Sequence, residues 1–136
     1  MIPPMPDALI SACAVAFVIV TAGAVCFEVA LAVGVPWGRY AMGGAHPGAL
    51  PTRLRVAAVA QAVVLAALAA IVAARAGLID LPILAGLTWP IWLVVAFTAV
   101  SLVLNALSRS AGERRIWVPV AIVLLATSLI VAIGGA

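Results

Sequence analysis

Apolar residues in this chain run together in four long blocks, separated by short segments rich in glycine, proline and arginine. A hydrocarbon core of about 30 Å is crossed by around 20 helical residues, and each block is close to that length or longer. The first runs from about Ala8 to Val33, with Asp7 placed to cap its start and Gly34-x-Pro36 to stop it. The second runs from about Leu54 to Ala76 and ends at Gly77; the third spans about Trp89 to Leu107, and the fourth about Ile116 to Ile133. The pattern predicts an all-α, integral membrane four-helix bundle. It forms a single transmembrane domain over residues 1–136, with connecting segments 34–53, 77–88 and 108–115.

Local signals refine these elements. Ser110 and Glu113 have the Ser-x-x-Glu spacing of a capping box, so the fourth helix is expected to begin winding before its apolar stretch. Pro119 then falls inside that helix, where its missing backbone donor favours a kink. In the second block Ala58, Ala62, Ala66, Ala70 and Ala74 form an i, i+4 strip that lets another helix approach closely. That neighbour is either another helix of the chain or a second copy.

Charge sets the orientation. All seven basic residues are arginine, and six of them lie in two segments: Arg39, Arg53 and Arg55 in one, Arg109, Arg114 and Arg115 in the other. Only Arg75 lies on the opposite side. Positive residues stay cytoplasmic, which predicts both arginine-rich segments inside and both termini outside, in the cell membrane. The tryptophans agree, with Trp37 and Trp117 at the inner boundary and Trp89 and Trp92 at the outer.

Composition excludes whole classes of function. With 68% of residues hydrophobic and 8% charged, the chain has too few polar side chains to wrap a soluble core. The net charge of +3 is therefore a topology signal, and no nucleic-acid partner is expected. Met1 to Asp7 carries no positive charge and the apolar run after it exceeds a signal-peptide core, so the first helix is expected to stay. Cys13 and Cys26 lie roughly 20 Å apart along one helix, beyond the reach of a disulfide, and are expected to be free thiols.

Glu28 is the most informative residue. It lies within the first helix, about 8 Å from its inner end by helical rise. An intramembrane acid is expensive to bury, so it is expected to face the protein interior and find a partner. Gln61 and Asn105 sit at similar depth on other helices, with Ser101 and Thr98 extending the polar stripe of Asn105 and Thr21 sharing the face of Glu28. Together they suit either a pocket for a proton or ligand, or hydrogen-bonding glue in which Glu28 pairs with a polar neighbour or with Arg53 or Arg55. The loop from Pro36 to Pro51 adds Arg39, His46 and several glycines, which suit a phosphate or carboxylate, or a turn anchored at the headgroup layer. The candidate ligand-binding residues are thus Glu28, Gln61, Asn105, Arg39, His46, Arg53 and Arg55. No second ligand lies at metal spacing from His46, no nucleophile elbow occurs, and neither a cofactor nor a catalytic residue is expected.

The segments Gly34-x-Pro36-Trp37-Gly38, Gly43-Gly44 and Pro47-Gly48-x-Leu50-Pro51, followed by Gln61 and then by Asn105-x-x-Ser108-x-Ser110-x-x-Glu113-Arg114-x-x-Trp117-x-Pro119-Val120, carry a likeness. The chain resembles a family of small four-helix integral membrane proteins without an assigned activity. The resemblance implies the fold and singles out the inner face. The expected function is a non-enzymatic membrane protein that binds a partner or amphiphile at its cytoplasmic face. The alternative is a small transporter or ion-coupled carrier using Glu28. Membrane lipid, a second copy or another membrane protein are the expected partners.

Overall fold

The computed structural model describes residues 3–135, and Met1, Ile2 and Ala136 lie outside the described residues. Four helices follow one another: α1 (Asp7–Ala32), α2 (Thr52–Arg75), α3 (Pro90–Ala106) and α4 (Ala111–Gly134), with no strand among the described residues. Three of them are long and apolar enough to cross a membrane; α3, at 17 residues, is a shorter apolar helix. The chain folds up and down, so the connections 33–51 and 107–110 share the arginine-rich end. Large apolar side chains such as Ile19, Val63 and Leu104 point outward, as a lipid-facing surface requires.

Helix ends follow local chemistry. Gly34 and Gly77 adopt φ of 99° and 77° and close α1 and α2. At each end the next residue reaches back to a carbonyl five positions earlier, Val35 to Ala30 at 3.0 Å and Leu78 to Ala73 at 2.9 Å. Asp7 departs from its expected role: Pro6 occupies the capping position and Asp7 lies in the first turn, where its charge favours the helix N-terminus. At the start of α4, Ser110 Oγ accepts from Glu113 N at 3.1 Å, one half of the expected capping box. The other half is not formed, because the Glu113 carboxylate is drawn elsewhere. Pro119 lies inside an unbroken α4.

Two clusters of buried residues divide the bundle. The larger includes Phe17, Val72, Ile91, Val94 and Val131 and fills the half nearer the termini. There Arg75 Nη2 donates to the Ala132 carbonyl at 3.4 Å, placing a cation at the C-terminal end of α4. The smaller joins Leu31, Ala41, Leu50 and Ala58, and pins the long connection against α1 and α2. The alanine strip divides accordingly: Ala58 and Ala62 are buried within the chain, whereas Ala66 faces out. Cys13 and Cys26 are free.

The long connection is an ordered cap. Gly38 N donates to Gly48 O at 3.0 Å, folding the loop on itself. A Cβ at Gly38 would lie 1.7 Å from the His46 carbonyl oxygen, whereas one at Gly48 would meet nothing within 4 Å. Gly38→Ala is therefore expected to destabilise the protein by about 1–3 kcal/mol through overpacking, and Gly48→Ala to leave it near wild type. Thermal unfolding of both variants in mild detergent checks this; equal midpoints would refute the packing of the cap.

Candidate functional site

Helical spacing converges four faces on one space. On α1, Phe17, Thr21, Ala24 and Glu28 follow one another at three- and four-residue steps. On α3, Thr98, Ser101 and Asn105 do the same, and Gln61 and Trp117 approach from α2 and α4. All of these line a cavity of about 370 Å³ toward the arginine-rich end of the bundle. The size falls at the lower end of small-molecule sites, which span about 300–1,000 Å³. Tyr40, Ala41 and Met42 of the long connection also line it, so the cap is its roof.

Glu28, Gln61 and Asn105 thus share a cavity, but they do not pair with one another. Asn105 Nδ2 turns back along α3 to the Ser101 carbonyl at 2.7 Å. Glu28 makes no hydrogen bond or ion pair among the described residues, so neither arginine expected as its partner pairs with it. Arg55 Nε donates to Leu50 O at 2.9 Å, and its guanidinium lies against Gly34. Arg53 is exposed at the start of α2. Thr98 Oγ1 and Ser128 Oγ lie 3.4 Å apart, a buried contact between α3 and α4. Thr21, 1% exposed, leaves its Oγ1 without any partner.

The other loop candidates stand outside. The Arg39 guanidinium lies over the Tyr40 ring, 4.7 Å from its centroid, and His46 contributes its backbone to the packing of Gly38. Neither side chain lines the cavity. They serve the roof rather than the interior.

Glu113 and Trp117 belong to the site as well. The Glu113 carboxylate accepts from Gly43 N at 2.9 Å and from Ser108 Oγ at 2.6 Å, tying the roof to the start of α4. Ser110 Oγ adds a bond to the Arg39 carbonyl at 2.7 Å. Trp117 turns inward rather than toward lipid: its indole donates to the Tyr40 carbonyl at 2.7 Å and its ring meets Phe27 edge-on at 4.8 Å. Phe27 also stacks on Trp37 at 6.1 Å. The capping-box spacing explains why Glu113 sits where it does. Nothing in its local sequence signals Gly43 as its partner, since that contact crosses 70 residues.

Gly43, with φ of 74°, leaves its N–H pointing at Glu113; a Cβ there would meet no atom but would strain the backbone. Gly112 matters for a different reason, because a Cβ on it would press to 2.9 Å from the Tyr40 ring. Comparison with protein-family models, curated proteins and solved structures returned no match. The reading of the site therefore rests on its own geometry.

Cutting the Glu113 latch should free the roof. Glu113→Ala removes two hydrogen bonds to a charged acceptor, at a cost of roughly 1–3 kcal/mol, while Glu113→Gln keeps an acceptor for Gly43. Limited trypsin digestion in detergent is expected to cut after Arg39 fastest in the alanine variant. Equal cleavage rates in all three proteins would show that the latch does not hold the loop.

Proposed function

We propose that this chain is a small, non-enzymatic multi-pass protein of the cell membrane that binds an amphiphilic ligand in the cavity beneath the Gly34–Pro51 cap. The observation that carries the reading is the state of the polar groups. Glu28 and Thr21 turn to the cavity without protein partners, although interhelical glue is useful only when its members bond each other. Buried polar groups are rarely left unsatisfied, so an occupant accounts for the Thr21 hydroxyl and gives the half-buried Glu28 a partner. Aromatic and aliphatic walls beside these groups suit a molecule with a polar head and an apolar body. Packing of Val72, Ile91, Val94 and Val131 in the other half supports a one-ended site over a through path, and so a binder over a carrier.

The orientation is part of the proposal. Six arginines on the cap side against one opposite support a cavity toward the cytoplasm and both termini outside. The likeness to the small four-helix membrane family belongs to the same reading. A reporter joined after Ala136 is expected to be silent when it is active only in the cytoplasm and to work when it is active only outside. The reverse pattern would overturn the topology.

Ligand binding is tested by filling the space. Ala24 is 8% exposed and lines the cavity, so Ala24→Phe places a ring where the ligand would lie. Native mass spectrometry is expected to show saturable, one-to-one uptake of at least one of three octyl amphiphiles: octyltrimethylammonium, 1-octanol or octyl sulfate. The filled variant is expected to lose it. Uptake that is absent, or unchanged in a folded Ala24→Phe protein, would refute the binding site.

A further inference from the structure

The geometry points to a hydrophobic organic cation, an ammonium carried on an apolar body, as the ligand class of this cavity. The inference rests on the proposed binding function and deepens it by naming the charge of the ligand's head.

The charges that line the cavity are of one sign. Glu28 and Glu113 both contribute to its wall, and none of the seven arginines does, although arginine is the chain's sole basic residue type. An anionic head would enter beside two carboxyl groups with no cation to receive it, a juxtaposition that costs binding energy. A neutral head offers Glu28 no counter-charge, so the carboxyl would meet it holding its proton and gain only a neutral hydrogen bond. A cationic head supplies the counter-charge, and a desolvated carboxylate paired with a charge and hydrogen-bonded is far cheaper than one alone.

The remaining wall selects among cations. Phe17, Phe27, Phe97 and Trp117 bring four aromatic rings to one small space, beside the Tyr40 ring that Arg39 already covers. Ring faces attract ammonium groups, most strongly where water is excluded. A divalent metal ion fits poorly, because it wants a shell of several oxygen ligands, and no group of three or more His, Cys, Asp or Glu side chains exists among the described residues. Thr21 supplies the independent sign of a ligand: its hydroxyl is buried, unpartnered and on the cavity wall, about two helical turns from Glu28. An ammonium held by Glu28 would let its apolar body extend along α1 past Thr21 toward Phe17.

The same octyl series, with the head group as its variable, tests the charge. Wild-type protein in nanodiscs, corrected against empty nanodiscs, is expected to bind octyltrimethylammonium at least about tenfold more tightly than 1-octanol, the worth of one charge-assisted contact, and to exclude octyl sulfate. Glu28→Gln, nearly the same shape, is expected to abolish that preference while keeping octanol binding and the thermal midpoint. If octanol or octyl sulfate binds as well as the ammonium in the wild type, the cation assignment falls and the binding cavity stands. If no probe binds in any form, both fall. A lipid amine is a second source of the same chemistry: retained phosphatidylethanolamine that octyltrimethylammonium displaces supports the assignment with a lipid as donor. Displacement by octanol alone would overturn it.

Discussion

A carboxyl group within a lipid-bounded helix has few permitted positions. Facing hydrocarbon, Glu28 would bear its full desolvation cost, so α1 must present the face of Phe17, Thr21, Ala24 and Glu28 to the other helices. The rotation of α1 then fixes what can pack beside it. Ala58 and Ala62 bring α2 close, and the polar stripe of α3 and the Trp117 face of α4 close the ring. Four faces each carrying some polarity meet at one level, and that level is the cavity.

Above the cavity, the long connection does what the helices cannot. Helix termini leave backbone groups unpaired, and an open bundle end would admit headgroups and water. Here the segment folds through the Gly38–Gly48 bond, sinks Leu50 to 2% exposure, and is held by Glu113, Ser110 and Trp117. The last three residues belong to the α3–α4 turn and the start of α4, so the roof couples both helical hairpins. Glu113 stands in two places at once, on the cavity wall and on the Gly43 N–H. The same carboxylate thus belongs to the cavity wall and to the fastening of the roof.

Contrast between the two halves of the bundle gives the molecule its polarity. The half near the termini packs branched aliphatic side chains, with Arg75 on the Ala132 carbonyl and a smaller cavity of about 250 Å³ where the end of α2 meets the start of α3. The cap half holds space, aromatics and both cavity carboxyl groups. Dense apolar packing resists opening, whereas a roof held by a few hydrogen bonds opens at modest cost.

Much of this was legible in the sequence. Four apolar helices, three of them of spanning length, the glycine stops at Gly34 and Gly77 and the Ser110 cap depend on local chemistry, so their boundaries fell within about five residues of those observed. The depth of Glu28, Gln61 and Asn105 followed from helical rise alone, and depth was enough to bring them to one level. Their mutual arrangement was not, because hydrogen-bond partners depend on helix rotation and spacing that no single segment encodes. Asn105 spends its donor on its own helix, Arg55 spends one on Leu50, and Glu28 is left facing space. Trp117 and Glu113 read locally as a boundary marker and a helix cap; only contacts across some 70 residues of chain turned them into wall and latch. Short-range chemistry determined which elements form and how deep each polar group lies; the tertiary structure decided which groups meet, because that choice depends on how whole helices pack.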